Sequence, residues 1–195
     1  MNKKNTKVEK GEYGYLDYKK RQSAVLMILG FSIVAVLFFI GYFATKTKNN
    51  IMTVISILTV LPVAKFAVNF FFLLPYHSEK KEEYDKLKDM VKEMIVLTDL
   101  VFTTDQKFFP FPTSFMVIHN GSACGFTNHE KYHTEYMEKF LENNLQVNGV
   151  KVNVKIFKDK KQFFNRVKTL AEIVPDEKQS KKDIRIKELL LTLTI

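Results

Sequence analysis

Tryptophan is absent from this sequence, and cysteine occurs once, at Cys124. A single thiol excludes an intramolecular disulfide, which fits a reducing compartment. Glycine is scarce, seven in 195 residues, and none of it forms the clustered loop that cradles phosphates. Paired metal carboxylates and the sequence context of an acyl-transfer triad are missing too. These gaps leave no complete catalytic or nucleotide-binding constellation. Negative charge is scarce where it would matter most. Residues 1–50 carry nine Lys or Arg against three acids, a net of +6, whereas residues 76–195 carry only +2 of the overall +9. Nucleic-acid binding needs a basic patch on the folded domain itself, so the charge distribution counts against it. Basic residues beside an apolar segment suit anionic lipid headgroups.

What the chain does have is two long apolar runs. Residues 24–44 number 21 without a charge, and at ~1.5 Å per residue they cover the ~30 Å of a bilayer's hydrocarbon. A cleaved signal peptide has an apolar core of only about 7–15 residues, so this run reads as an uncleaved anchor. A second run, residues 51–75, follows after the short polar link at 45–50. Together they predict a transmembrane helical hairpin. Pro62 removes a backbone donor from the second helix and kinks it, a defect that neighbouring helices can repair in a membrane. Lys65 and Asn69 lie four apart on one face and have two readings: an intramembrane polar site, or a lysine that snorkels to the interface roughly 21 Å along the helix from Ile51.

The flanks set the expected orientation. Lys10, Lys19, Lys20 and Arg21 precede the first run, and Lys80, Lys81, Lys86, Lys88 and Lys92 follow the second. The link carries only Lys46 and Lys48. Positive residues stay inside, so the expectation is a two-span protein of the cell membrane with both termini cytoplasmic. Residues 1–23 are expected to form a cytoplasmic arm, either loose or lying at headgroup level through Tyr13, Tyr15 and Tyr18.

Beyond residue 75 the pattern changes to that of a soluble α/β domain, residues 76–174. Tyr84, Leu87, Met90 and Val91 recur at helical spacing. Residues 94–103 read as a buried strand, and the prolines at 110 and 112 argue that no strand continues through them. Asn120-Gly121 between two apolar runs predicts a hairpin with a type I′ turn. That hairpin sets Cys124 opposite Val117 on a face with Phe115 and Phe126, as a small buried hydrophobe. Asn128 is expected to cap a helix over 128–145. Val150, Val152, Val154 and Ile156 alternate with Lys151, Asn153 and Lys155, a half-buried strand. Asp159 then caps a helix with Phe163, Phe164, Val167, Leu170 and Ile173 inward, stopped by Pro175. The tail, 175–195, allows a helix or a strand.

One motif invites a catalytic reading. His129-Glu130-Lys131-Tyr132-His133 spells H-E-x-x-H, in which two imidazoles on successive turns of a helix hold Zn²⁺ and the glutamate activates its water. Against it, the motif begins directly at the expected cap, Lys131 places a charge between the histidines, and no third ligand has a supporting pattern. The alternative is that His129 and His133 pack against the sheet.

The order helix, strand, hairpin, helix, strand, helix over residues 79–173 resembles the core of the P-D-(D/E)-x-K nuclease-related fold. In that family a carboxylate opening the second strand and a (D/E)-x-K triplet on the third hold Mg²⁺. Here Ser114 stands near the first place and Gly125-Phe126-Thr127 in the second, so the resemblance implies a core whose nuclease chemistry is lost. With its Gly14-Tyr15 arm, its Thr45-Lys46-Thr47-Lys48-Asn49-Asn50 turn and the domain behind it, the whole chain also resembles small two-span membrane proteins of Gram-positive bacteria, a likeness that brings no activity with it.

The sequence therefore predicts an α-helical transmembrane hairpin followed by a small α/β domain, with a mixed sheet of about four strands flanked by helices. The expected function is interaction, scaffolding or sensing at the membrane, with no cofactor. Membrane lipids are the expected partner, joined by a protein bound through the domain or through the hairpin at Gly30, Ser32 and Gly41. The enzymatic alternative is a membrane-anchored zinc metallopeptidase with Glu130 catalytic and His129 and His133 on the metal.

Overall fold

The structure, a computed structural model, describes residues 7–91, 94–104, 110–129, 133–173 and 177–195, excluding the side chains of 177–180. Among these the chain forms α1 (Tyr15–Thr45), α2 (Ile51–Leu73), α3 (Lys81–Met90), β1 (Ile95–Phe102), β2 (Phe111–His119), β3 (Ser122–Phe126), α4 (Thr134–Val147), β4 (Asn153–Phe157), α5 (Lys160–Ala171) and α6 (Glu177–Thr192). It divides into two compact units, Leu16–His77 and a second that joins the N-terminal residues through Tyr15 to Ser78–Ile195.

The first unit is the α1–α2 pair. Asn50 caps α2, accepting a hydrogen bond from Thr53 N at 2.9 Å, and this fixes the start of the second helix where the sequence placed it. The two helices meet through small residues. A Cβ on Gly30 would lie 2.6 Å from Val63 Cγ2, and one on Gly41 would lie 2.5 Å from Met52 Cβ. The two pairs run in opposite directions along the chain, so the helices are antiparallel. Leu16 and Ser23 on α1, and Ser56 and Val63 on α2, are buried at seven-residue spacing, the repeat of a shallow helix crossing. Gly30 and Gly41 thus let the two helices approach each other closely. Lys20 closes the base, donating to Tyr76 O at 2.7 Å.

The second unit is a three-layer domain. Its sheet has the order β1-β2-β3-β4, with β1–β2 and β2–β3 antiparallel and β3–β4 parallel. Asn120 at φ 48° and Gly121 at φ 69° form the expected turn between β2 and β3. On one face Met116, Ile118, Val154 and Ile156 pack with Met137, Leu141 and Leu145 of α4 and with Ile186 and Leu190 of α6. On the other, Phe115, Val117, Cys124 and Phe126 pack with Leu87 of α3 and with Phe163, Val167 and Leu170 of α5.

Both outer edges of the sheet are closed, which removes the row of free backbone groups that invites strand addition. Along β4 the amides of Val154 and Ile156 donate to Glu142 and Glu138 of α4, at 2.9 and 2.8 Å. Along β1, Thr98 N donates to Gly11 O at 2.9 Å and Ile195 N to Val101 O at 3.1 Å. Lys10 Nζ bonds Thr194 O, joining the two chain ends that cover this edge.

Several expectations need correcting. Residues 7–15 do not form a separate arm but belong to the domain, because the β1 edge needs them. The 175–195 tail belongs to it as well, its helix α6 filling the core through Ile186 and Leu190 and its Asp183 accepting from the amides of Asn120 and Gly121 at 2.8 and 2.7 Å. Pro112 lies inside β2, paired with Val101. It is tolerated because β3 ends at Phe126, opposite Phe115, so this stretch of β2 is paired on one side only. Ile173, expected inward, is 40 % exposed just past the end of α5. Phe108 and Phe109 lie outside the described residues.

Candidate functional site

The parallel pair β3–β4 sets up one end of the sheet as a site. Asp159 accepts from Gln162 N at 2.8 Å and so fixes the first turn of α5 just past the end of β4. That places Lys160 beside Phe126, the last residue of β3, with its ammonium 5.5 Å from the ring centroid. Glu79 enters from the segment before α3. One carboxylate oxygen accepts from Ser114 Oγ at 3.2 Å and the other lies 3.6 Å from Lys160 Nζ. Glu83, in the first turn of α3, lies 3.9 Å from the same ammonium. Tyr13 completes the group, its hydroxyl donating to Glu79 O at 2.8 Å and its ring stacked on Tyr84 at 4.6 Å.

Glu83 and Lys160 also line an open groove of about 860 Å³ between α3 and α5, with Lys86, Met90, Lys161 and Phe164. A lysine held over a ring at the rim of a groove, between two carboxylates, can exchange ion-pair partners with an incoming charged group. The arrangement suits recognition of a charged surface.

The H-E-x-x-H residues are placed differently from the expectation. Helix α4 begins at Thr134, with His133 as its N-cap, rather than at Asn128. His129 therefore precedes the helix, and the two imidazoles do not stand on successive turns of it. Glu130, with Lys131 and Tyr132, lies outside the described residues. His133 is exposed, at the mouth of a cleft of about 620 Å³ shared with Tyr136, Lys139 and Lys158, and so does not pack on the sheet. His129 is half-buried, its amide donating to Thr127 Oγ1 at 3.4 Å. Among the described residues no group of three or more His, Cys, Asp or Glu side chains is placed to hold a metal. On α2, Lys65 is exposed and Asn69 half-buried.

Two ionisable groups beside the sheet are shifted. Burial raises the Cys124 thiol, with Arg166 acting in the opposite sense, so the thiol stays protonated and inert. Burial lowers the His129 imidazole, and the charge of Glu79 offsets part of that. The unfolded chain then holds the extra proton more readily than the fold, and stability falls as pH drops below the ordinary value of 6.5 toward the depressed one. Between about pH 7.5 and about pH 5.5, thermal unfolding of the wild type should lose more ground than that of His129→Gln. Equal pH slopes would exclude this assignment.

Sequence reasoning singled out Ser114, Phe126 and Thr127 at this end of the sheet but missed Glu79, Lys160 and Tyr13. The Asp159 cap was the available signal, since it fixes where α5, and with it Lys160, begins. No family model, curated protein or solved structure matches this chain.

Proposed function

We propose that this is an integral membrane protein in which α1 and α2 cross the cell membrane as a hairpin and the α/β domain binds a partner, scaffolds or senses on the cytoplasmic side, without catalysis. The observation that carries the reading is the bare apolar surface of the two helices. Both are long and apolar enough to span, yet only 6 % and 11 % of their most apolar windows are buried. Phe43, Ile51 and Leu61 are each at least 70 % exposed. A core helix of a water-soluble protein would have such residues covered, and lipid tails cover them here. The domain has a core of its own on each face of its sheet.

Counted as Lys and Arg alone, charge supports the orientation, as the link between the helices carries two while Lys10, Lys19, Lys20 and Arg21 precede the pair and Lys80, Lys81, Lys86, Lys88 and Lys92 follow it. The element order from α3 to α5 supports a nuclease-related core, and Ser114, Phe126 and Thr127 at the candidate site support a binding role in place of nuclease chemistry. The peptidase alternative has lost its helix, which is the structural context that H-E-x-x-H needs.

Cysteine labelling of intact cells tests the topology, because Cys124 is 2 % exposed and does not compete for reagent. A membrane-impermeant maleimide should label Thr47→Cys from outside and label Lys187→Cys only after permeabilisation. The reverse pattern would overturn the orientation. One zinc per purified chain, lost in His133→Ala, would establish the peptidase instead.

A further inference from the structure

We propose that Asp99 is a latch that ties both chain crossings between the two units to the sheet and couples them to the candidate site. The inference deepens the sensing reading above, but its test reads the latch alone.

Asp99 sits in the middle of β1 at φ 56°, a left-handed conformation that is strained for a residue with a Cβ and persists only where its surroundings impose it. The surroundings here are the core. In a regular strand Leu97 and Leu100 would point to opposite faces, yet both pack on the α4–α6 side together with Phe102. The turn at Asp99 reverses the pleat, and the ladder to β2 skips this residue between Thr98↔Phe115 and Leu100↔Thr113. Core packing therefore holds the backbone in place whatever the side chain does.

The side chain serves a separate purpose. Its carboxylate, 3 % exposed, accepts from Gly14 N at 2.8 Å and from Ser78 Oγ at 2.6 Å. Gly14 immediately precedes α1, and Ser78 is the first residue after the chain returns from the helix pair. One buried carboxylate thus holds the exit and the re-entry of the chain. Neighbouring bonds reinforce both arms, Gly11 on Thr98 and Tyr13 on Glu79. Ser78 is followed directly by Glu79, the carboxylate that engages Ser114 and Lys160. A displacement of either chain crossing pulls on Asp99 first, and its release frees Glu79 and opens the ion cluster at the groove. The bonds at Ser78 and Tyr13 make this a positioning role for a recognition site.

Hydrogen exchange of the full chain in detergent micelles, read by mass spectrometry, tests the latch. Asp99→Gly suits it because glycine accepts the same φ without strain, so the pleat reversal survives while the carboxylate is lost. The expected result is exchange faster by about tenfold or more in peptides covering 8–15 and 76–84, with peptides covering 137–157 unchanged. Ser78→Ala, which keeps the carboxylate, should loosen 76–84 more than 8–15. Wild-type exchange in both segments of Asp99→Gly would overturn the proposal. So would equal acceleration in 137–157, which would make Asp99 a determinant of global stability instead.

Discussion

Phe163→Ala should destabilise the α/β domain by about 3–5 kcal/mol, lowering its unfolding midpoint by roughly 10–20 °C. Phe163 is fully buried, with its ring centroid 6.3 Å from Phe115 and 5.8 Å from Phe126. It is the side chain through which α5 reaches β2 and β3 at once. Truncation leaves a void against two rings that are held by separate strands, Phe115 on β2 and Phe126 on β3, and a rigid sheet cannot collapse to fill it. The site should suffer as well, because Lys160 lies one turn N-terminal to Phe163 and depends on the docking of α5 for its position over Phe126. Ile173→Ala provides the contrast. That side chain is 40 % exposed beyond the end of the same helix, and its truncation should stay within about 0.5 kcal/mol. Circular dichroism of the full chain on heating, in detergent, separates the two variants. Similar losses in both would mean that α5 is not docked through Phe163.

Features with short-range causes were legible in the sequence. The Asn120-Gly121 turn, the Asp159 cap and the alternation along β4 each follow from residues within one turn or one strand of each other; the structure places the turn and the cap as expected, and the strand over Asn153–Phe157, with Val150 and Val152 buried just before it. The apolar runs were legible for the same reason, although α1 extends back to Tyr15 through a basic segment that hydropathy alone does not mark. Features that depend on distant residues were not legible. The carboxylate that completes the hairpin turn, Asp183, lies more than sixty residues away in a tail whose pattern allowed either helix or strand. The glutamates sealing β4 sit on α4, where they read as ordinary solvent-facing charges. The start of α4 was misplaced because Asn128 has the chemistry of a cap, while His133, without that chemistry, occupies the position.

The candidate site divides along the same line. Ser114, Phe126 and Thr127 could be placed because strand order and the turn fix the register of β2 on β3. Glu79 and Lys160 could not, since each lies at the boundary of a helix and their meeting depends on the parallel crossover through α4 and β4. Asp99 was the least visible of all. An aspartate within an apolar strand reads as an interruption, and its use emerges only where Gly14 and Ser78 converge on it.

Val36→Arg should remove the chain from the membrane. Val36 lies near the middle of the apolar run of α1 and is 56 % exposed, so the substitution has no protein packing to disturb. The sign of its effect depends on what surrounds the helix. In water an arginine on an exposed apolar surface is harmless and improves solubility. At the centre of a bilayer it costs about 2.5–3.5 kcal/mol on insertion scales, enough to lower the inserted fraction by roughly a hundredfold where the equilibrium is balanced. Lys65 lies only three residues past the midpoint of α2, so its tolerance there rests on its long side chain reaching the interface, roughly 21 Å along the helix from Ile51. Alkaline extraction of membranes, followed by immunoblotting of pellet and supernatant, provides the measurement. Wild type should stay in the pellet, Val36→Arg should shift to the supernatant or be degraded, and Val36→Leu should behave as wild type. An arginine variant that stays in the pellet as firmly as wild type would place α1 outside the hydrocarbon.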